Sequence, residues 1–181
     1  MRLFRLSLFA GFFLLSWPLL AATNPTWYYP FISAQYSPWS ETDFRQSGEW
    51  FDCAEDDKPL FCTDEVKIHH TPMYAEVTFD HAQEPVLELN GEFSLTYFNN
   101  LQLGLRQDGF QLMKVVIDGV TLDVELALIN KSETEVDREV LQLINRYPAT
   151  EPRALYWRSG DQKRFAQWRS DGSTIEIIYQ R

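Results

Sequence analysis

The chain has 181 residues and a formal net charge of −10, with 26 acidic against 16 basic residues. Its length suits a single domain that buries its own core. Binding to nucleic acid or to an anionic lipid surface is driven by positive charge, so this composition predicts no nucleic-acid partner.

The first segment has the layout of a secretory signal peptide. Arg2 and Arg5 precede an apolar run from Leu6 to Leu20, and small residues follow it. This order predicts a Sec-type signal peptide over residues 1–22 and a periplasmic or secreted protein. The run is shorter than the roughly 20 residues that a membrane-spanning helix needs, so we predict no stable membrane insertion; a retained N-terminal anchor is the alternative. Removing residues 1–22 leaves 14 basic against 26 acidic residues, a net charge of −12.

Residues 23–48 form a segment rich in aromatic residues and proline. Pro25, Pro30 and Pro38 disfavour a helix and a central strand, which predicts an extended arm. Exposed aromatic side chains stack on sugars or fill pockets of a partner, whereas buried ones complete a core, and both readings stay open. The candidate binding residues are Trp27, Tyr28, Tyr29, Tyr36 and Trp39.

The next segment combines two cysteines with many acidic residues. In an exported protein, Cys53 and Cys62 most simply form one disulfide. Carboxylates around them are candidate calcium ligands, with a solvated acidic loop as the alternative. These candidates are Asp52, Glu55, Asp56, Asp57, Asp64 and Glu65. Residues 41–92 hold 14 acidic residues against Arg45, Lys58 and Lys67, so this part of the chain is either a solvated face or a surface that recruits a basic partner.

From residue 66 onward, apolar and polar residues alternate as they do in strands with one buried face. Asn90-Gly91, Asp108-Gly109, Asp118-Gly119 and Asp171-Gly172 are typical of tight hairpin turns. Together these signals predict an antiparallel meander. Its expected strands lie near 73–80, 85–89, 92–98, 101–106, 110–117, 120–128, 154–158, 164–168 and 173–180.

One segment has helical rather than strand periodicity. Ser132 and Glu135 fit a capping box, and apolar residues follow at helical spacing up to Pro148. We therefore predict one amphipathic helix over 133–146. The fold class that results is mainly β: residues 49–181 form a single β-rich domain whose antiparallel meander closes into a sandwich or a small barrel.

Sequence motifs of the common catalytic sites are missing: the chain has no GxSxG, HExxH, GxGxxG or phosphate-binding loop. The histidines are His69, His70 and His81. On a strand, the first two would point to opposite faces and would not share a metal ion. A hydrolase would need one of them beside a carboxylate in a cleft. No catalytic residue and no cofactor is predicted.

The spacing of several features resembles the invasion-associated locus B family. These features are Trp50, Cys53 and Cys62, then Leu103-Gly104, Ile117-Asp118-Gly119, and a segment that ends in Leu141–Asn145. The resemblance covers roughly residues 48–169 and implies a small exported β-sandwich protein of a Gram-negative bacterium, without established catalytic chemistry. The chain lacks the second cysteine pair that members often carry, and the resemblance transfers no functional residues.

These observations predict a binding or accessory module that acts through protein–protein contacts in the cell envelope, with another envelope protein as partner. One alternative is a carbohydrate-binding or carbohydrate-modifying module that presents the aromatic arm to a glycan. A second alternative is a small outer-membrane β-barrel, since about eight alternating strands suit its size.

Overall fold

The computed structural model describes residues 24–55, 58–81 and 83–181. Its strands are β1 (Phe51–Asp52), β2 (Phe61–Cys62), β3 (Val66–Ile68), β4 (Thr71–Phe79), β5 (Pro85–Glu92), β6 (Phe110–Ile117), β7 (Val120–Asp123), β8 (Arg153–Ser159), β9 (Phe165–Ser170) and β10 (Thr174–Gln180). A 3-10 turn at Thr26–Tyr28 precedes the helices α1 (Tyr29–Ile32), α2 (Glu41–Gln46), α3 (Leu95–Gln107), α4 (Val124–Leu128) and α5 (Glu133–Arg146). The predicted signal peptide over 1–22 lies outside the described residues.

All ten strands join one antiparallel sheet, which confirms the predicted mainly β, antiparallel fold. The strand order is β1-β2-β4-β5-β10-β9-β8-β6-β7, and β3 pairs with β4 beside β2. The sheet is open, with β1 and β7 at its edges. Strands β8, β9 and β10 form the meander that the turn signals predicted.

One face of the sheet carries the core. Inward residues alternate along each strand, and the largest on the C-terminal strands are Trp157, Trp168 and Tyr179. Helix α3 packs on this face through Phe98, whose ring centroid lies 4.5 Å from that of Trp168. The buried residues of the other helices join the same core. Side chains on the opposite face are partly or fully exposed, so the sheet has one covered and one open face.

The N-terminal segment is not the extended arm that its prolines suggested. Pro30 occupies the first turn of α1, where its missing N–H costs nothing, and Ser40 caps α2 with a capping box. The aromatic residues pack onto the core as the chain folds back in these short helices. Phe44 of α2, for example, lies 5.0 Å from Trp50 and 5.7 Å from Phe61 between ring centroids.

The strands predicted over 92–98 and 101–106 are wrong, because most of this region forms α3. Leu101 and Leu105 are buried, whereas Leu103 between them is 56% exposed. A strand would have put all three on one face, so the helical period decides the outcome. Ser94 provides the N-cap, since its side chain accepts a hydrogen bond from the backbone N–H of Tyr97.

Only part of the turn prediction is confirmed. Asp118 and Gly119 have φ of 48° and 75° and join β6 to β7 as a two-residue hairpin turn. Asp171-Gly172 lies between the paired strands β9 and β10. Asn90-Gly91 instead continues β5, opposite Glu176 and Ile175, and Asp108-Gly109 ends α3. The strand predicted over 120–128 stops at Asp123, whose side chain caps α4.

The helix predicted over 133–146 is confirmed with the same limits. Both hydrogen bonds of the Ser132–Glu135 capping box are present, and Val136 and Val140 are buried against the core. Among the described residues, no helix is both long and apolar enough to cross a bilayer.

The predicted disulfide is also present. Cys53 and Cys62 are bonded across a loop that joins β1 to β2 at one edge of the sheet. The two cysteines are nine positions apart, so the bond closes a short loop.

Replacing both cysteines with serine, in the double variant Cys53→Ser with Cys62→Ser, should lower the free energy of unfolding by about 2–3 kcal/mol. The reason is that the unfolded chain regains the conformational entropy that the closed loop removes. Urea unfolding of both proteins measures the difference. The same loss should follow when the wild-type protein is reduced, and an unchanged midpoint after reduction would contradict the assignment.

Candidate functional site

The open face of the sheet contains a cleft with a volume of about 890 Å³. We call it the open-face cleft. Six adjacent strands line it, from β4 through β5, β10, β9 and β8 to β6, so the sheet bends around it. Tyr74, Val116 and Ala154 contribute to a surface that is mostly apolar. A concave, largely apolar site of this size is typical of ligand-binding surfaces.

Charges around the open-face cleft are predominantly acidic. Its carboxylates are Glu92, Asp118, Asp171 and Glu176. Arg169 is paired with Glu176 at 3.2 Å. The guanidinium of Arg153, the other basic group, is buried and donates to the backbone carbonyls of Pro148 and Glu151. Most of the positive charge is therefore used within the protein.

Two further carboxylates lie on the same face in an unfavourable arrangement. Glu76 on β4 is directly opposite Glu88 on β5 in the strand register. Like charges at such cross-strand positions repel each other. No ion pair joins either one to a basic side chain in the described part of the chain. A cationic group from outside would relieve this repulsion.

A second candidate site surrounds His69, on the helix-covered side of the sheet. His69 and His70 form the two-residue turn between β3 and β4, with φ of 47° and 63°. This left-handed conformation is costly for residues other than glycine. The prediction that the two histidines point to opposite faces of one strand is therefore wrong, since they occupy a turn.

Four neighbours hold His69 in place. Its Nε2 lies 2.8 Å from Oδ2 of Asp108 at the end of α3, and both side chains are about nine-tenths buried. The backbone N–H of His69 donates to Oδ1 of Asn24 at 2.9 Å. The ring lies so close to Gly104 that a Cβ there would be 2.2 Å from it. Tyr28 stacks edge-on, with ring centroids 5.8 Å apart.

A chain of buried hydroxyl groups continues from Asp108. The hydroxyl of Tyr28 donates a hydrogen bond to Asp108 at 3.0 Å, and its oxygen therefore accepts one from the hydroxyl of Tyr179, 2.7 Å away. Both tyrosines are fully buried, and burial is the main cause that raises the pKa of each above the ordinary value of 10. Both phenols consequently remain protonated donors over the physiological range.

This arrangement leaves one nitrogen of His69 available. A carboxylate accepts hydrogen bonds, so Nε2 carries the proton and Nδ1 is the acceptor in the neutral ring. Within the described residues, Nδ1 makes no hydrogen bond. It is also not among their buried atoms that lack a partner, so it is accessible. The imidazole lines a cleft of about 450 Å³, which we call the His69 cleft. An imidazole oriented in this way can accept a proton from a bound hydroxyl group or from water.

The predicted aromatic platform is divided between core and surface. Trp27 and Tyr28 are fully buried, so they cannot present a stacking surface, and the platform prediction is wrong for both. Trp39 is half-buried against the core. Tyr29 also packs against the core but reaches the His69 cleft, and its ring stacks on that of Tyr36, which is 47% exposed, at a centroid distance of 5.3 Å.

The acidic loop shows no metal centre in the residues that the structure describes, among which no group of three or more His, Cys, Asp or Glu side chains converges. Asp52 accepts a hydrogen bond from Arg45 at 2.8 Å, and Glu55, Asp64 and Glu65 are exposed or half-exposed. The remaining candidates, Asp56 and Asp57, lie outside the described residues, so calcium binding stays a prediction.

Sequence reasoning missed most of the His69 site. The sequence pattern places Asp108 in a predicted hairpin turn and Tyr179 in a predicted strand, with no sign that either meets His69. The adjacent histidines were the only available signal, and their meaning depends on a partner 39 positions away.

Comparisons with protein-family models, curated proteins and solved structures find no match. The fold and its two concave sites therefore define this protein only as a mainly β chain with one open sheet face. The resemblance to the invasion-associated locus B family stays a prediction, because none of these comparisons bears on it.

Replacing Gly104 with alanine should displace His69. Alanine stabilises a helix by about 1 kcal/mol relative to glycine, but the clash with the imidazole should exceed this gain and give a net loss of about 1–3 kcal/mol. Urea unfolding measures the change. In the His69→Ala background the same substitution should become neutral or stabilising, and an equal loss in both backgrounds would contradict the contact.

The buried tyrosines predict a stability loss at high pH. Because their pKa is raised in the folded state, the unfolded chain loses these protons first above pH ~10, and the free energy of unfolding falls by about 1.4 kcal/mol per pH unit for each. Tyr28→Phe should have a shallower decline than the wild type over about pH 10–11.5 in urea unfolding. Parallel declines would show that these phenols ionise in the folded protein as easily as in the unfolded one.

Proposed function

We propose that this protein is an extracytoplasmic binding module whose open-face cleft docks a segment of a partner protein that carries basic and apolar side chains. The observation that carries the proposal is the cleft itself: a concavity of about 890 Å³ on a sheet face that no described helix covers. Among protein sites, concave and mostly apolar surfaces of this size are the usual places of ligand binding.

Charge complementarity favours a basic segment. The carboxylates of Glu92, Asp118 and Asp171 surround the cleft without an ion pair in the described chain, whereas Arg169 is already neutralised by Glu176. Complementary charge accelerates and selects association, and repulsion excludes acidic partners. Of the acidic residues in 41–92, Glu92 lines the cleft, and Glu76 and Glu88 lie on the same face of the sheet.

The apolar floor of the cleft favours a docked segment that also carries apolar side chains. Tyr74 is 55% exposed although it is a large aromatic residue, and Val116 and Ala154 lie on the strands across the cleft. Removing such side chains from water favours association by roughly 25 cal/mol per Å² of apolar area, against which stands the entropy cost of binding. In an extended segment with alternating basic and apolar residues, the apolar side chains would face the floor, and the long basic side chains would turn back to the carboxylates around the cleft.

An extracytoplasmic location is supported by the disulfide between Cys53 and Cys62, because such bonds persist in oxidising compartments. Together with the signal peptide predicted over 1–22, it favours a partner in the cell envelope.

The proposal predicts that a fluorescent peptide of alternating lysine and valine binds, and that its glutamate–valine counterpart does not. Fluorescence anisotropy measures both, and affinity for the lysine peptide should fall with ionic strength. Ala154→Trp, which fills the cleft, should weaken binding by about tenfold or more, and Glu92→Lys should weaken it by a smaller factor.

The matched control is Asp137→Lys on α5, which makes the same charge change at an exposed position on the helix-covered side. It should leave peptide affinity unchanged. Equal binding of the two peptides, or an equal effect of Asp137→Lys and Glu92→Lys, would mean that the open-face cleft is not the docking site.

A further inference from the structure

The His69 cleft is separate from the open-face cleft. It is lined by the β3–β4 turn, by α3 and by the segment before α1, which lie on the covered side of the sheet. The proposed peptide-docking function uses none of these residues. Ligand binding at the His69 cleft is therefore independent of peptide docking at the open-face cleft.

The His69 cleft combines a strained turn with a connected hydrogen-bond network. Two consecutive histidines hold a left-handed backbone that glycine or asparagine would adopt at lower cost. Asp108 is oriented by two donors, Tyr28 and His69, and Gly104 leaves the space that the ring occupies. Strained backbone that is held by surrounding structure is concentrated at functional sites.

The groups that face the cleft suit an uncharged, hydrogen-bonding ligand. Asn100 and Gln107 are seven positions apart on α3, two helical turns, so both carboxamides lie on its cleft side. Neither carboxamide makes a hydrogen bond within the described residues. Each therefore offers one acceptor oxygen and one amino group with two donor hydrogens. Nδ1 of His69 adds an acceptor beside them.

Charged ligands fit the cleft less well. No lysine or arginine lines it, so an anion would find no permanent positive charge. Its one carboxylate, Asp108, already accepts hydrogen bonds from Tyr28 and His69. A metal ion would need further ligands, and no group of three or more such side chains converges in the described part of the chain.

An aromatic surface completes the lining. Tyr29 lines the cleft, and its ring is held by stacking on Tyr36 at an interplanar angle of 27°. Aromatic rings bind the apolar faces of sugar rings, while amides and imidazoles bind their hydroxyl groups. The volume of about 450 Å³ lies within the range of small-ligand sites.

We propose that the His69 cleft binds a neutral saccharide, with the carboxamides of Asn100 and Gln107 and Nδ1 of His69 bonded to its hydroxyl groups and with Tyr29 against a ring face. His69 is the acceptor that Asp108 orients. In this proposal, Tyr29 is the residue of the aromatic segment that contacts the saccharide, whereas Trp27 and Tyr28 lie in the core behind it.

The test is saturation-transfer NMR of the purified protein with maltotriose, cellotriose and N-acetylated chitotriose as probes. We expect saturable binding of at least one probe, with a dissociation constant below about 10 mM. Asn100→Leu and Gln107→Leu should each weaken that binding by about tenfold, because each removes hydrogen bonds to the ligand. Both positions face solvent in part or fully, so the variants should keep the wild-type unfolding midpoint.

Asn145→Leu is the matched control, since Asn145 is an exposed asparagine on α5, away from the cleft. It should leave saccharide binding unchanged. Failure of all three probes to bind up to about 10 mM overturns the proposal, as does binding that persists in both α3 variants. Ala154→Trp should weaken peptide docking without changing saccharide binding, which separates failure of this proposal from failure of the open-face one.

Discussion

Burial of one face of a ten-stranded sheet is the constraint on which the rest of this structure depends. A sheet of this size needs cover for its inward residues, and the two long helices α3 and α5 cover only part of it. The aromatic N-terminal segment supplies the remainder through Trp27, Phe31 and Phe44. With α3 and α5 on that side, the opposite face is left to solvent where the open-face cleft lies.

The same constraint explains the His69 network. Where the N-terminal segment, the β3–β4 turn, the end of α3 and the last strand meet, polar groups become buried and must satisfy one another. The hydroxyls of Tyr28 and Tyr179, the carboxylate of Asp108 and the imidazole of His69 do so in one connected chain. A connected network of this kind locks four distant segments together and also presents one imidazole nitrogen to a cleft.

Sequence reasoning succeeded where the signal was local and unambiguous. Helix α5 has a capping box, a helical period and a terminating proline, all within one segment. Strand β6 has its limits as predicted, and the Asp118-Gly119 turn after it needs positive φ at both positions. It failed at α3, where Leu101, Leu103 and Leu105 fit a strand and a helix equally well until their burial distinguishes them.

The amino-acid sequence by itself determined the β-rich class, the disulfide, α5 and the acidic balance, because each follows from composition or from residues close together in the chain. Tertiary structure alone decided which aromatic residues are buried, which sheet face is open, and that His69 meets Asp108. These depend on contacts between positions 39 to 151 residues apart. No local pattern encodes such contacts, since they arise only when the sheet and the elements that cover it are assembled.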